Sequence, residues 1–280
     1  MQMAMIETRD GTRLYVKDWG QGRPVVLLHG WPLSSDTWDD TGMALAAAGH
    51  RVIAYDRRGF SRSEQPWSGY DYDTLADDLA DVLAATGAED AALIGFSMGG
   101  GEVARYLSRH GSTRIWAAGL VASVVPYMLK TTDNPDGTPQ EVFDDMAKGM
   151  KEDRAHFFAD FFKTFYGKTL LQGGGLLSGG VSDEVVQWSC NLAMQASLKA
   201  TLACAESFAT TDFRPDLTAF TMPTLIIHGT ADKTVPIDAS ARAAARGIAN
   251  SQLVEYEGGP HGLQASHKER LTADLLAFLR

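Results

Sequence analysis

Short, wholly apolar runs recur along this chain and are separated by stretches with helical periodicity. Pro24–Leu28 (Pro-Val-Val-Leu-Leu) and residues 91–94 (Ala-Ala-Leu-Ile) have no polar position, the pattern of strands covered on both faces. Arg51–Tyr55 and residues 115–122 read the same way, whereas residues 13–19 alternate around Leu14 and Val16, as a partly exposed strand does. Residues 38–48 and Tyr72–Thr86 predict helices. In the second, Leu75, Leu79 and Leu83 share one face and the aspartates form a solvated one. After position 212 the alternation resumes: strand 224–228, helix 238–246 with Asp238 as its N-cap, strand 252–256, and a last helix to residue 280. Strands alternating with helices predict an α/β protein with a mostly parallel, doubly wound sheet.

Between residues 125 and 212 this rhythm breaks. The sequence there is mostly helical, with a turn at Asn134-Pro135-Asp136-Gly137 and glycine runs at 173–175 and 179–180. A helical insertion in a parallel sheet predicts a cap over the sheet's edge loops: core 1–124 and 213–280, cap 125–212. The glycine runs predict a locally mobile cap loop. Paired aromatics at 157–158, 161–162 and 165–166 recur at helical spacing and read first as a stripe packed on the core, with one or two rings lining a pocket as the alternative.

Composition narrows the function. The formal net charge of −10, with no basic run, argues against nucleic acid or acidic lipid as a partner. Residues 1–10 lack the cationic and apolar regions of a signal peptide, and no apolar run approaches bilayer length, so a cytoplasmic protein is expected. Cys190 and Cys204 fall in helical sequence without metal-ligand spacing and predict buried thiols.

The chemistry concentrates where strand 91–94 meets a helical pattern through Gly95-x-Ser97-x-Gly99. A serine at so tight a strand-to-helix turn takes a strained backbone and needs small neighbours, which makes Ser97 a candidate nucleophile. Its hydroxyl needs a base, and His261, in the tight loop Gly258-Gly-Pro-His-Gly262 after the last strand, is the choice among the seven histidines. Asp232, after strand 224–228, is the carboxylate that would orient it. Asp56 is the runner-up, set aside because Arg57 and Arg58 suit it to a structural ion pair. Ser97, Asp232 and His261 fall in the chain order of an α/β-hydrolase triad. Two N–H donors for an oxyanion are expected at Met98, directly after the serine, and at Trp31, after His29-Gly30 in an early edge loop. Trp31, Pro32 and Val235 are expected to line the substrate site.

His29-Gly-Trp-Pro-Leu33, Tyr55-Asp-Arg-Arg-Gly-Phe60, Gly95-Phe-Ser-Met-Gly-Gly100, Asp133-Asn-Pro-Asp-Gly137, His228-Gly-Thr-Ala-Asp232 and Pro260-His-Gly262 resemble the α/β-hydrolase branch of cofactor-free bacterial haloperoxidases, arylesterases, perhydrolases and γ-lactamases. The resemblance implies an α/β-hydrolase fold with a helical cap inserted after the sixth strand. It also implies Ser97 as nucleophile with Asp232 and His261 as its relay, and no metal, haem or other cofactor. The expected substrates are small esters, or a carboxylic acid with hydrogen peroxide. Pro32 matches the family's perhydrolases. Dehalogenases and epoxide hydrolases of this fold use aspartate where Ser97 stands, so alkyl-enzyme chemistry is not expected. A γ-lactamase or amidase, and a ligand-binding protein that merely keeps the fold, are the alternatives. Homo-oligomerisation stays open.

Overall fold

The apolar runs assemble into one eight-stranded sheet in the computed structural model, which describes residues 5–168 and 181–280. Its strands are β1 (Met5–Glu7), β2 (Arg13–Gly20), β3 (Pro24–Leu28), β4 (Arg51–Tyr55), β5 (Ala91–Phe96), β6 (Ile115–Val121), β7 (Thr224–Gly229) and β8 (Ser251–Tyr256). Their spatial order is β1-β2-β4-β3-β5-β6-β7-β8. β1 and β2 form an antiparallel margin, and every pair from β4 to β8 is parallel. β1 was not anticipated: its three residues hold one buried side chain, Ile6, too little for a periodic signal. The central β5 is buried at every position, which is why it reads as a continuous apolar run.

Register sets the site. Leu28 pairs with Gly95, Gly95 with Leu120, Val121 with Ile227, and Gly229 with Tyr256. The parallel strands therefore end together, and the loops after β3, β5, β7 and β8 leave from one edge, the place where open α/β sheets bind ligands.

The core helices are α1 (Asp39–Ala47), α2 (Tyr72–Thr86), α3 (Met98–His110) before the helical segment, and α7 (Ala241–Gly247), α8 (Leu263–Ser266) and α9 (Lys268–Phe278) after it. α2 is framed by its own chemistry. The Asp71 side chain accepts from Thr74 N–H at 2.9 Å, and Gly87 ends the helix with φ 61°. The helix expected over 238–246 starts later, at Ala241, and Asp238 does not cap it: its carboxylate pairs with Arg242 at 2.9 Å. The single helix expected over 38–48 is preceded by a 3₁₀ turn, Ser35–Trp38, because the Ser34 hydroxyl accepts from Asp36 N–H.

Between β6 and β7 lie α4 (Gln140–Phe165), α5 (Asp183–Gln195) and α6 (Leu198–Thr210). Helix begins only at Gln140. Residues 125–139 are irregular, tied by the Asn134 amide, which donates to the Tyr127 and Leu129 carbonyls at 3.0 and 2.8 Å. α4 breaks at Asp153 (φ −152°, ψ 88°), whose side chain accepts from His156 N–H and so caps the second half. Phe158, Phe162 and Phe165 are buried along that half. The glycine runs at 173–175 and 179–180 lie outside the described residues. Cys204 is buried, as expected, but Cys190 is half-buried; neither is disulfide-bonded. Among the described residues no helix is long and apolar enough to cross a membrane.

Candidate active site

Ser97 sits between β5 and α3 with φ 54° and ψ −118°, a strained backbone that costs about 1–3 kcal/mol and is held by its surroundings. Its N–H donates to the Val121 carbonyl at 2.8 Å, and its carbonyl accepts from Gly100 N–H at 3.0 Å. The glycines on either side are required by close approach. A Cβ on Gly95 would lie 2.4 Å from the Gly99 carbonyl oxygen, and one on Gly99 would lie 2.7 Å from that of Leu28.

The loops after β7 and β8 bring the two expected partners to this serine. His261 Nε2 lies 2.9 Å from Ser97 Oγ, and His261 Nδ1 lies 2.6 Å from Asp232 Oδ2. An ionised carboxylate only accepts, so Nδ1 carries the proton and Nε2 presents its lone pair to the hydroxyl. All three side chains are buried. Asp232 Oδ1 accepts from Thr234 and Val235 N–H, each at 2.8 Å. Burial alone would raise the Asp232 carboxyl, but His261, then the hydrogen bonds from His228 and His261, hold it well below the usual carboxylate range. The runner-up, Asp56, is elsewhere. It binds the Ser35 hydroxyl at 2.6 Å and Arg62 at 2.7 Å, so its ion-pair partner is Arg62 and neither of the adjacent arginines.

Aromatic rings fix the imidazole. Phe96 packs at 5.3 Å between centroids and Phe165, from the end of α4, meets it edge to face at 4.8 Å. The Gly262 N–H donates to the Phe165 carbonyl at 2.9 Å, so the helical segment and the histidine loop share a backbone bond. The aromatic pattern thus packs on the core, as its first reading has it, and its last phenylalanine, Phe165, also reaches the His261 ring.

The edge loop after β3 lies against the serine. A Cβ on Gly30 would come within 3.0 Å of Ser97 Cβ. Among the described residues, neither the Trp31 nor the Met98 backbone N–H has an acceptor, which leaves both expected donors available. The Trp31 indole is turned to the helical segment. It donates to the Thr201 carbonyl at 3.0 Å and packs edge-on against Phe158, Phe161 and Phe208 at 5.5 to 5.8 Å. Pro32 and Val235 are buried beside these loops. A cavity of about 490 Å³ runs along α4 past Met146, Phe157 and Phe161 to Lys233 and Thr234, next to Asp232.

Sequence reasoning missed what lies beneath this loop. Arg57 and Glu102 form a buried ion pair (Nε to Oε1 2.6 Å), and the Tyr55 hydroxyl donates to Glu102 at 2.8 Å. Arg57 also donates to the His29 carbonyl at 2.6 Å, and its backbone N–H to His29 Nε2 at 2.9 Å. The only sequence signal that Glu102 points inward is its place among Gly101, Val103 and Ala104, all of them buried. His228, read as a strand end, places Nε2 3.1 Å from Asp232 Oδ2.

The alpha/beta hydrolase fold profile matches residues 23–268. The non-heme chloroperoxidase CPO-A1 of Kitasatospora aureofaciens is 44% identical over 279 residues, 99% of each chain. The bifunctional esterase/perhydrolase DCH of Acinetobacter calcoaceticus is 40% identical over 281 residues, 99% of this chain and 100% of that one. The crystal structure of bromoperoxidase from Bacillus anthracis superposes with a TM-score of 0.92 at 42% identity, covering 99% of both chains. Sheet order, the serine elbow and likeness over nearly the full length agree: the chain belongs to the α/β hydrolase fold family, among relatives named as non-heme haloperoxidases and esterases.

Proposed function

We propose that this protein is a serine esterase of small carboxylic esters that also forms peracids from carboxylic acids and hydrogen peroxide. The observation that carries the reading is the chain of contacts Ser97 Oγ–His261 Nε2 (2.9 Å) and His261 Nδ1–Asp232 Oδ2 (2.6 Å) beside two unengaged N–H groups. Ser97 Oγ attacks the acyl carbonyl while His261 Nε2 takes the hydroxyl proton. Asp232 stabilises the imidazolium that forms. The N–H groups of Trp31 and Met98 receive the oxyanion, and the α3 N-terminus favours its charge. Collapse expels the alcohol, which takes the proton from His261. Water or hydrogen peroxide, deprotonated by His261, then attacks the acyl-enzyme and releases acid or peracid with Ser97 restored.

The helices of 125–212 act as a cap: Trp31, Phe161 and Phe165 wall the acyl site from above. The names of the relatives support the peroxide branch, and the two unbridged thiols suit a reducing, cytoplasmic setting. The test is a panel of short-chain aryl esters, a bicyclic γ-lactam, and acetate with peroxide. Stoichiometric labelling of Ser97 by a phosphonate and ester turnover lost in Ser97→Ala and His261→Ala are expected. Full turnover in Ser97→Ala would overturn the reading. Pro32→Leu should lower peracetic acid formation relative to ester hydrolysis; an unchanged ratio would leave Pro32 no part in peroxide selection.

A further inference from the structure

His228 is the penultimate residue of β7, four residues before Asp232, and its side chain is fully buried. Its Nε2 lies 2.9 Å from the Val235 carbonyl oxygen and 3.1 Å from Asp232 Oδ2. A carbonyl can only accept, so Nε2 carries the proton and donates it to the Val235 carbonyl, with Asp232 Oδ2 3.1 Å from the same nitrogen. The other nitrogen, Nδ1, is then a bare acceptor, and among the described residues it has no partner. A buried polar atom without a partner is costly, and an apolar side chain of similar size would avoid that cost. Filling space therefore does not account for a histidine here. What the ring adds is one N–H, which meets the Val235 carbonyl 3.1 Å from the carboxylate.

We propose that His228 is a positioning residue for the reaction: a second imidazole that shares Asp232 Oδ2 with His261 and locks the plane of the carboxylate. The inference rests on the Ser97–His261–Asp232 reading above. Asp232 receives three N–H groups, from Thr234 and Val235 at Oδ1 and from His261 at Oδ2, and His228 Nε2 stands 3.1 Å from Oδ2 as the fourth neighbour. Rotation of the carboxylate about its Cβ–Cγ bond would break bonds at both oxygens together. A fixed carboxylate plane fixes the Nδ1–H direction of His261, and with it the lone pair of Nε2 toward Ser97. Without His228, Oδ2 keeps a single, mobile partner, and the imidazole gains freedom in the direction that matters for proton transfer.

The test uses the whole protein and a p-nitrophenyl ester, with His228→Phe, His228→Asn and His228→Gln. Glutamine places an amide N–H near the position of Nε2; asparagine is too short to reach Asp232; phenylalanine has no donor. For phenylalanine and asparagine, kcat should fall about 10- to 100-fold, with KM changed by no more than about twofold. Glutamine should restore kcat to within about fivefold of the parent. In an Asp232→Asn background the further loss from His228→Phe should shrink to under about threefold, because the group it acts through is gone. Should His228→Phe fail to fold, the asparagine–glutamine pair carries the comparison, with melting curves as the check on folding. Parental kcat in the asparagine variant, no advantage of glutamine over asparagine, or an undiminished effect in the Asp232→Asn background would each overturn the proposal. Ser97→Ala and His261→Ala are measured alongside. If they are inactive while the His228 variants are normal, only this inference falls; if Ser97→Ala turns over, the serine reading falls and takes this one with it.

Discussion

Glu102→Gln tests the buried pair beneath the candidate oxyanion loop. The substitution keeps size and shape but removes the charge that faces Arg57, and a guanidinium does not deprotonate in a protein. Arg57 and Glu102 are each 1% exposed, so no water reaches in to replace the lost partner. Breaking one side of a buried pair costs about 3–5 kcal/mol. For chains approaching this size, 1 kcal/mol moves the melting temperature by roughly 2–4 °C, so a fall of roughly 6–20 °C is expected. Scanning calorimetry or fluorimetry reads it, and because the pair is buried the fall should change little with added salt. A kinetic effect should accompany it, since the same guanidinium holds the His29 carbonyl at 2.6 Å, two residues before the Trp31 N–H. We expect kcat for a p-nitrophenyl ester to fall at temperatures where the variant is fully folded. An Arg57→Met/Glu102→Met double variant should lose less stability than Glu102→Gln, because no unpaired charge remains. A melting temperature within about 2 °C of the parent together with parental kcat would refute the reasoning, for 3 kcal/mol could not then be stored in the pair.

Two further outcomes follow from burial. Desolvation, then the nearby Arg57 charge, pull the His29 imidazole down to about 3, and Nε2 is occupied as acceptor of the Arg57 N–H. A folded-state value below the unfolded one gives stability that is full above about 6.5 and is lost as pH falls toward 3. From pH 7 to 5 this group should cost about 2 kcal/mol, and His29→Asn should flatten the pH dependence by that amount in denaturant titrations; an equal slope in both would contradict it. Burial pushes the Cys204 thiol up to about 12 and also raises the half-buried Cys190. A thiol reagent at pH 8 should therefore label Cys190 first and Cys204 only on unfolding, and equal rates in the native protein would count against the assignment.

The inner parallel strands β3 to β7 were legible because they are buried on both faces and so read almost without interruption. β1 was not, since three residues carry no period. The elbow was legible because close approach at Gly95 and Gly99 leaves only glycine, and the placement of Asp232 and His261 followed from loops leaving one sheet edge. What stayed hidden depends on side chains that meet across loops distant in sequence. Asp56 finds Ser35 from the loop after β3, Arg57 finds Glu102 on the next helix but one, and the Trp31 indole turns to Thr201; even within its own loop Asp56 takes Arg62 instead of the adjacent arginines. Residue type told that these groups need partners; only the fold tells which. Asp238 shows the limit of local rules, because a helix start two residues further on turned an expected cap into a partner for Arg242.

The bond from Gly262 N–H to the Phe165 carbonyl bears on how this protein can be recombined with its relatives. An exchange that cuts at the two points where the chain leaves and re-enters the sheet would look modular, since each cut falls in a loop. It would nevertheless separate Phe165 from the imidazole it packs against, and Thr201 and Phe208 from the Trp31 indole. The heritable unit is wider than the inserted helices: it includes Trp31 and the loop 260–262. Chimeras that carry these short segments with the donor's helices should keep a defined histidine loop, and those that transplant the helices alone must re-form the seam between two unmatched halves.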